Sequence, residues 1–427
     1  MNLDKLKVTI IDSMPGTGKT SWSIDKMANT SEEDMNFIYI TPYLDEVKRI
    51  KDNVINRKFY EPTNKNEKGS KLQGLKDLIT KDRDIASTHA LFSNVDEGVY
   101  QLLKSSRYTL ILDEVMNVIE TRQVSYSDFD ILLNQGVFKI DEETNKIIWL
   151  KDEYSGKFNE IKELAKNDNL YYHSRNGNSK KIILLVWTFP VKIFEVFKEI
   201  YILTYLFDGQ LQRAYYDMYN IEYEYKSVRL KDDKYRLVDY IHYNQENKDH
   251  LKQLINIYDG KLNEIGNNKY SLSSSWLKNS KNRDNLGKLK NNTSNYFKHK
   301  LKSKSITNMW TTIKSEISDE SSIKKVRSLL AGAGYSKGFV PCNARATNEY
   351  AHKENLAYLL NRFLNPLDKG FFEDKDITIN EDLWALAELI QWIWRSRIRK
   401  NEPINIYLPS KRMRNLLKDY INNNLKC

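Results

Sequence analysis

The chain has 427 residues, of which 40% are hydrophobic, 12% aromatic and 29% charged, a balance that suits folded domains and excludes disorder as the dominant state. Lysine and arginine total 67 against 57 acidic residues, and the net charge of +10 favours polyanionic partners. Two cysteines, Cys342 and Cys427, and six scattered histidines exclude a disulfide framework and a zinc site, and no apolar run is long enough to cross a bilayer.

The length fits two lobes. The charged start, Met1 to Lys7, carries no signal-peptide pattern, so a cytoplasmic protein with no membrane partner is expected. The β-branched run Lys7 to Asp12 predicts a buried strand, and Ser13-Met-Pro-Gly-Thr-Gly-Lys-Thr20 follows it directly. A strand, a tight glycine loop and a helix start make a phosphate cradle. Gly16 and Gly18 let the backbone amides turn inward, with Ser13 and Thr17 completing the loop, and the helix from Lys19 adds its positive end. Lys19 is assigned to the β- and γ-phosphates of ATP, and the Thr20 hydroxyl to Mg²⁺. Ser13 stands where the strict motif has glycine.

Phe37 to Pro42 and Asp84 to Phe92 each read as a short strand running into polar residues. Thr41, Pro42 and Thr88 are candidates for contact with a bound strand's phosphates, and equally for helix N-caps. Tyr108 to Glu114 is an apolar strand ending in two acids. Asp113 is expected to hold the Mg²⁺ shell and Glu114 to polarise the attacking water. Val115 and Met116 follow, where the best-known helicase boxes read Ala-Asp or Ala-His. Lys181 to Pro190 is read as another strand of the same α/β alternation; its end, Thr188-Phe-Pro, resembles the helicase coupling motif Ser/Thr-Ala-Thr, which implies Thr188 near Glu114 as the γ-phosphate sensor. The helix Val191 to Glu199 and the strand Tyr201 to Phe207 continue it. The first lobe is placed at residues 1–230, and the charged stretch Arg229 to Arg236 is read as the linker to a second lobe at 231–427.

In the second lobe, residues 276–304 set lysine, arginine and asparagine around Trp276, Tyr296 and Phe297. Such a segment can grip a nucleic-acid backbone and stack bases, or can be a solvated surface element. Arg345, Thr347 and Asn348 follow a strand-like run and are candidates for touching nucleic acid and nucleotide, with capping of the next helix as the alternative. Glu381 to Arg399 is read as an amphipathic helix that carries Gln391, Arg395, Arg397 and Arg399 near its end. Arginines offered by one lobe to a nucleotide on the other act as fingers on transition-state charge; the alternative is complementing the helix dipole.

The ordered set from Ser13–Thr20 through Asp113-Glu114 and Thr188 to Gln391–Arg399 resembles the motif series of superfamily 2 helicases, most of all the compact phage-type DNA helicases. That resemblance implies two RecA-like P-loop lobes with parallel-type sheets flanked by helices, the second carrying a basic insertion. It also implies ATP and magnesium as cofactors, nucleic acid as partner with DNA favoured over RNA, replication proteins as companions, and the host cytoplasm as location if the chain is phage-encoded. The family pattern puts its arginines four and seven residues after the glutamine, whereas here they fall at Arg395 and Arg399, four and eight after Gln391. Arg395 is therefore assigned as the finger, with Arg399 or Arg397 as the second. A nucleotide-gated switch or loader, or a DNA-packaging ATPase, shares the phosphate loop and acids and stands as the alternative.

Overall fold

The β-branched and aromatic runs form strands, and segments with helical apolar spacing form helices. The computed structural model describes residues 8–166, 169–176, 181–313, 320–342 and 349–425. In chain order its strands are β1 (Val8–Asp12), β2 (Asn36–Thr41), β3 (Ile85–Thr88), β4 (Tyr108–Asp113), β5 (Ile119–Val124), β6 (Phe138–Ile140), β7 (Ile147–Trp149) and β8 (Leu170–Asn176). They continue with β9 (Lys181–Thr188), β10 (Glu199–Thr204), β11 (Tyr223–Lys231), β12 (Lys234–Asp239), β13 (Ile255–Ile257), β14 (Asn308–Thr311), β15 (Asn355–Tyr358) and β16 (Ile404–Tyr407). The chain divides into two units, one comprising the residues through Asp12, 18–239 and 365–379, the other 13–17, 240–364 and 380–427.

The first unit is built on a seven-stranded sheet of order β12-β11-β1-β10-β4-β2-β3. From β11 to β3 all neighbours run parallel, and β12 returns antiparallel beside β11. Strands covered on both faces need apolar residues at every position, and all five residues of β1 and the first five of β4 are buried. The register sets Asp12 beside Thr204 and Leu203 beside Asp113, so the carboxyl ends of β1, β10 and β4 share one edge. Ligand sites of open parallel sheets form at that edge.

Three expectations about this unit are corrected. The stretch Arg229 to Arg236 is no linker: Arg229 pairs with Arg236 in the β11–β12 hairpin, which turns at Asp232 and Asp233, both with positive φ. Turn and edge-strand polarity imitate linker composition, and the first unit therefore runs on to Asp239 rather than ending at 230. Strand β9 does not continue the main sheet. It is the middle strand of an antiparallel sheet of order β5-β9-β8, inserted between β4 and β10 together with the β6–β7 hairpin. A covered central strand reads as apolar whichever sheet it joins. This insertion has a small core of its own, with Phe129 5.1 Å from Tyr172 and 5.3 Å from Phe138 between ring centres. Third, residues 365–379, expected in the second lobe, belong to the first unit. There Asp368 accepts a hydrogen bond from Thr121 (2.6 Å), and Asp374 pairs with His173 (2.7 Å) and Arg175 (3.0 Å).

The second unit carries a four-stranded parallel sheet of order β13-β16-β15-β14. The helix Glu381–Ile393 buries residues on nearly every side, Trp392 and Leu389 completely, so it is a core helix rather than an amphipathic one. It also ends before the arginines. The Ser396 hydroxyl donates to the Ile393 carbonyl (2.7 Å) and accepts from the Ile398 amide, starting a separate 3-10 turn, Arg397–Lys400. In the basic segment Tyr296 and Phe297 are 1% and 0% exposed, and Tyr296 lies 5.2 Å from Tyr407. They are core residues, which overturns base stacking on those two rings. Among the described residues no helix is long and apolar enough to cross a membrane.

Candidate nucleotide site

Strand β1 delivers the chain into a loop closed by Thr17, whose amide (3.3 Å) and hydroxyl (2.8 Å) both donate to the Met14 carbonyl. Gly16 and Gly18 have φ of 86° and 95°, a region that favours glycine. Gly18 is required a second time, because a Cβ there would lie 2.0 Å from the ring of Tyr235 on β12. The helix Lys19–Ala28 begins at Gly18 with no side-chain cap and no acid in its first turn, so its positive end carries no carboxylate of its own to compete with an anion. Gly18→Ala is expected to cost about 1–2 kcal/mol in backbone strain, besides the clash, and to weaken nucleotide binding about tenfold or more. In the double variant with Tyr235→Ala the clash is relieved but the strain persists, so titration with a fluorescent ATP analogue should show partial rescue. Full rescue would refute the backbone argument.

Asp113 closes β4, and Glu114 follows with φ of 70°, its amide donating to the Leu203 carbonyl of β10 (2.9 Å). A non-glycine residue in this region is strained, and the bond to β10 holds it there. Withdrawal from water pushes the Asp113 carboxyl up to about 7, with Glu114 and Glu46 adding repulsion while the nearby Tyr39 hydroxyl and the charge of Lys19 oppose the rise. Such crowding of carboxylates beside a lysine is relieved by a divalent cation, so the donor set fits one. Among the described residues no three His, Cys, Asp or Glu side chains form a cage of their own. A cation here would depend on Asp113, Thr20 and phosphate oxygens, the pattern usual for Mg²⁺.

The sequence reading missed Asp12 and Thr204. Asp12 is buried and accepts the amides of Leu206 (2.8 Å) and Phe207 (3.0 Å), which pins the exit of β10 to the end of β1. Leu206 has φ of 57°, so the latch also holds a strained turn. Burial pushes the Asp12 carboxyl up to about 7 against those two amides and the charge of Lys19. The Thr204 hydroxyl, at the end of the strand between β1 and β4, is buried without a hydrogen-bond partner among the described residues. Thr188 ends β9 in the inserted sheet, paired with Ile119 of β5, and shares a hydrogen bond with Tyr219 (2.8 Å). The signal for β10 was an apolar run ending in threonine before a turn; its place in the sheet was not readable.

Thr88 caps the short helix His89–Phe92 through the Leu91 amide (3.4 Å), and so takes the capping role. Thr41 caps nothing and is fully buried, with Pro42 half-buried beside it. In the second unit Gln391 and Arg395 are each 8% exposed. Arg397 pairs with Glu354 (3.2 Å) and donates to the Pro403 carbonyl (2.5 Å), which ties down its own turn, while Arg399 is exposed. Arg345, Thr347 and Asn348 lie outside the described residues.

Residues 119–187 match the YonV middle domain and residues 249–421 the YonV C-terminal Rossmann-like domain, which coincide with the inserted antiparallel sheet and with the parallel sheet of the second unit. A solved structure, that of S. tokodaii Xpd4, is 13% identical with a TM-score of 0.45 over 97% of this chain and 94% of its own, too loose a likeness to bear on function. The SPbeta prophage-derived uncharacterized protein YonV of Bacillus subtilis strain 168 is 46% identical over 429 residues, 98% of this chain and 99% of that protein. By that identity over nearly the whole length, the chain belongs to the YonV family.

Proposed function

We propose that the chain is a nucleic-acid-dependent ATPase, a helicase or translocase of the superfamily 2 type that acts on DNA in preference to RNA. One observation carries this reading: β10 separates the phosphate-loop strand from the Asp113 strand at one sheet edge, and the charge of Lys19 acts on both Asp12 and Asp113 there. Lys19 and the uncapped helix amides bind the β- and γ-phosphates. Thr20 and Asp113 hold Mg²⁺, which when bound neutralises charge on the phosphoryl oxygens. Glu114, whose backbone N–H donates a hydrogen bond to the Leu203 carbonyl of β10, orients the attacking water. Arg395 acts as the finger on the transition-state charge.

Arg395→Ala is expected to bind ATP nearly as the wild type does and to lose about 10³–10⁵ in turnover. Equal loss of binding and turnover would remove the finger assignment. The test of the function compares phosphate release and strand displacement with single-stranded DNA, duplex, a fork and RNA. Hydrolysis should rise with DNA. A rate indifferent to every nucleic acid would refute the motor, and stimulation without displacement would favour an ATP-gated switch.

A further inference from the structure

Outside the nucleotide site, the segment from Trp276 to Lys304 carries a strong net positive charge, with nine lysines and arginines and a single acid, Asp284. Its helix, Arg283–Asn295, turns Leu286, Leu289 and Thr293 into the core of the second unit. That leaves the other face to the solvent, with Arg283, Lys288 and, just past the helix, Lys298 exposed and Lys290 half-exposed. Among the described residues none of these four forms an ion pair with a carboxylate. The helix Glu320–Leu330 packs beside it, and Leu329 closes a shallow groove of about 590 Å³ lined by Arg283, Gly287, Lys288, Lys290 and Asn291, with Asp284 its one acid.

Gly287 is the second, independent observation. It is exposed in the middle of this helix, and a Cβ there would meet nothing within 4 Å. A glycine in a helix interior is destabilising relative to alanine, and no packing inside the protein asks for it. Glycine also suits a site where another molecule must come close to the backbone. A bare spot flanked by Arg283, Lys288 and Lys290, which outnumber the one acid Asp284, therefore fits a phosphodiester chain lying against the helix.

We propose that this face of the helix Arg283–Asn295 is a docking surface for the sugar-phosphate backbone of nucleic acid, with Gly287 as the point of close approach and Arg283, Lys288, Lys290 and Lys298 as the phosphate contacts. It rests on the nucleic-acid part of the proposed function and not on ATP hydrolysis. The recognition is independent of base sequence, since the rings of Tyr296 and Phe297 lie in the core. A bilayer surface is the poorer fit, because the apolar residues of this helix point inward and leave nothing to insert.

The experiment measures binding of a fluorescent single-stranded DNA to the full chain over a range of salt, for the wild type, for a variant with Arg283, Lys288, Lys290 and Lys298 all changed to Gln, and for Gly287→Gln. The fourfold variant should bind at least tenfold more weakly, with its log–log salt slope shallower by about 2–3, since each phosphate contact on a single strand contributes about 0.7. Its ATPase rate without DNA should stay at the wild-type value. Gly287→Gln should raise the melting temperature while weakening binding, a crossing that a merely structural glycine would not give. Wild-type affinity and slope in the fourfold variant would overturn the docking surface and leave the ATPase reading standing. A wild type that hydrolyses ATP but binds no nucleic acid would overturn both the surface and the motor. Binding to anionic phospholipid vesicles that is lost in the variant, with DNA binding unchanged, would assign the face to a membrane instead.

Discussion

Lys19→Ala is expected to remove ATP hydrolysis, by about 10²–10³ from the lost phosphate contact alone. The full loss should be larger, because Lys19 does more than touch phosphate. Its charge opposes the rise of both Asp12 and Asp113, each already pushed up to about 7 by burial. Without the lysine both carboxyls move further up, so at neutral pH Asp113 is protonated in a larger fraction of molecules and is a poorer partner for a divalent cation. Lys19→Arg preserves the charge but not the compact ammonium on its flexible stem, so it should recover nucleotide binding better than turnover. Steady-state phosphate release and binding of a fluorescent ATP analogue measure the two effects. Wild-type turnover in Lys19→Ala would end the phosphate-loop assignment.

The parts of this site that were legible in the sequence are those in which the chemistry lies within a few consecutive residues. Ser13 to Thr20 names its own turn through Gly16 and Gly18, and Asp113-Glu114 closes a strand by pattern alone. The α/β class followed from the same local periodicities. What stayed hidden depends on which strands become neighbours. Both β9 and β10 are apolar and end in threonine, and nothing in either run says that β10 enters the main sheet while β9 joins the inserted one. Asp12 was hidden for the same reason, since its role depends on the amides of Leu206 and Phe207, far away in sequence. Polar composition misled at the β11–β12 hairpin, where turn aspartates and an exposed edge resemble a linker. Aromatic residues among lysines misled at Tyr296 and Phe297, because burial is decided by partners distant in sequence, Tyr407 of β16 for Tyr296 and Tyr335 for Phe297. The run to Arg399 looked like one helix because the break at Ser396 is made by a side chain that serves equally well inside a helix or at its start.

Glu114→Gln should separate binding from chemistry. The Glu114 backbone is set by its positive φ and by the hydrogen bond to Leu203, neither of which involves the carboxylate, so the amide side chain should occupy the same place. It can still hydrogen-bond a water molecule but cannot draw its proton, and a fall in turnover of about 10²–10⁴ is expected. Nucleotide affinity should move the other way. Glu114 is among the groups that push the Asp113 carboxyl up, so removing its charge lets Asp113 ionise more readily at neutral pH, which favours a bound cation and the triphosphate with it. The variant should therefore bind ATP at least as tightly as the wild type and stay in the triphosphate-bound state, seen as slow single-turnover hydrolysis with undiminished analogue binding. A parallel loss of affinity would mean that Glu114 holds the cation directly, and the water-orienting role would then have to come from another group at the same sheet edge, with the buried Thr204 hydroxyl on β10 the next to test.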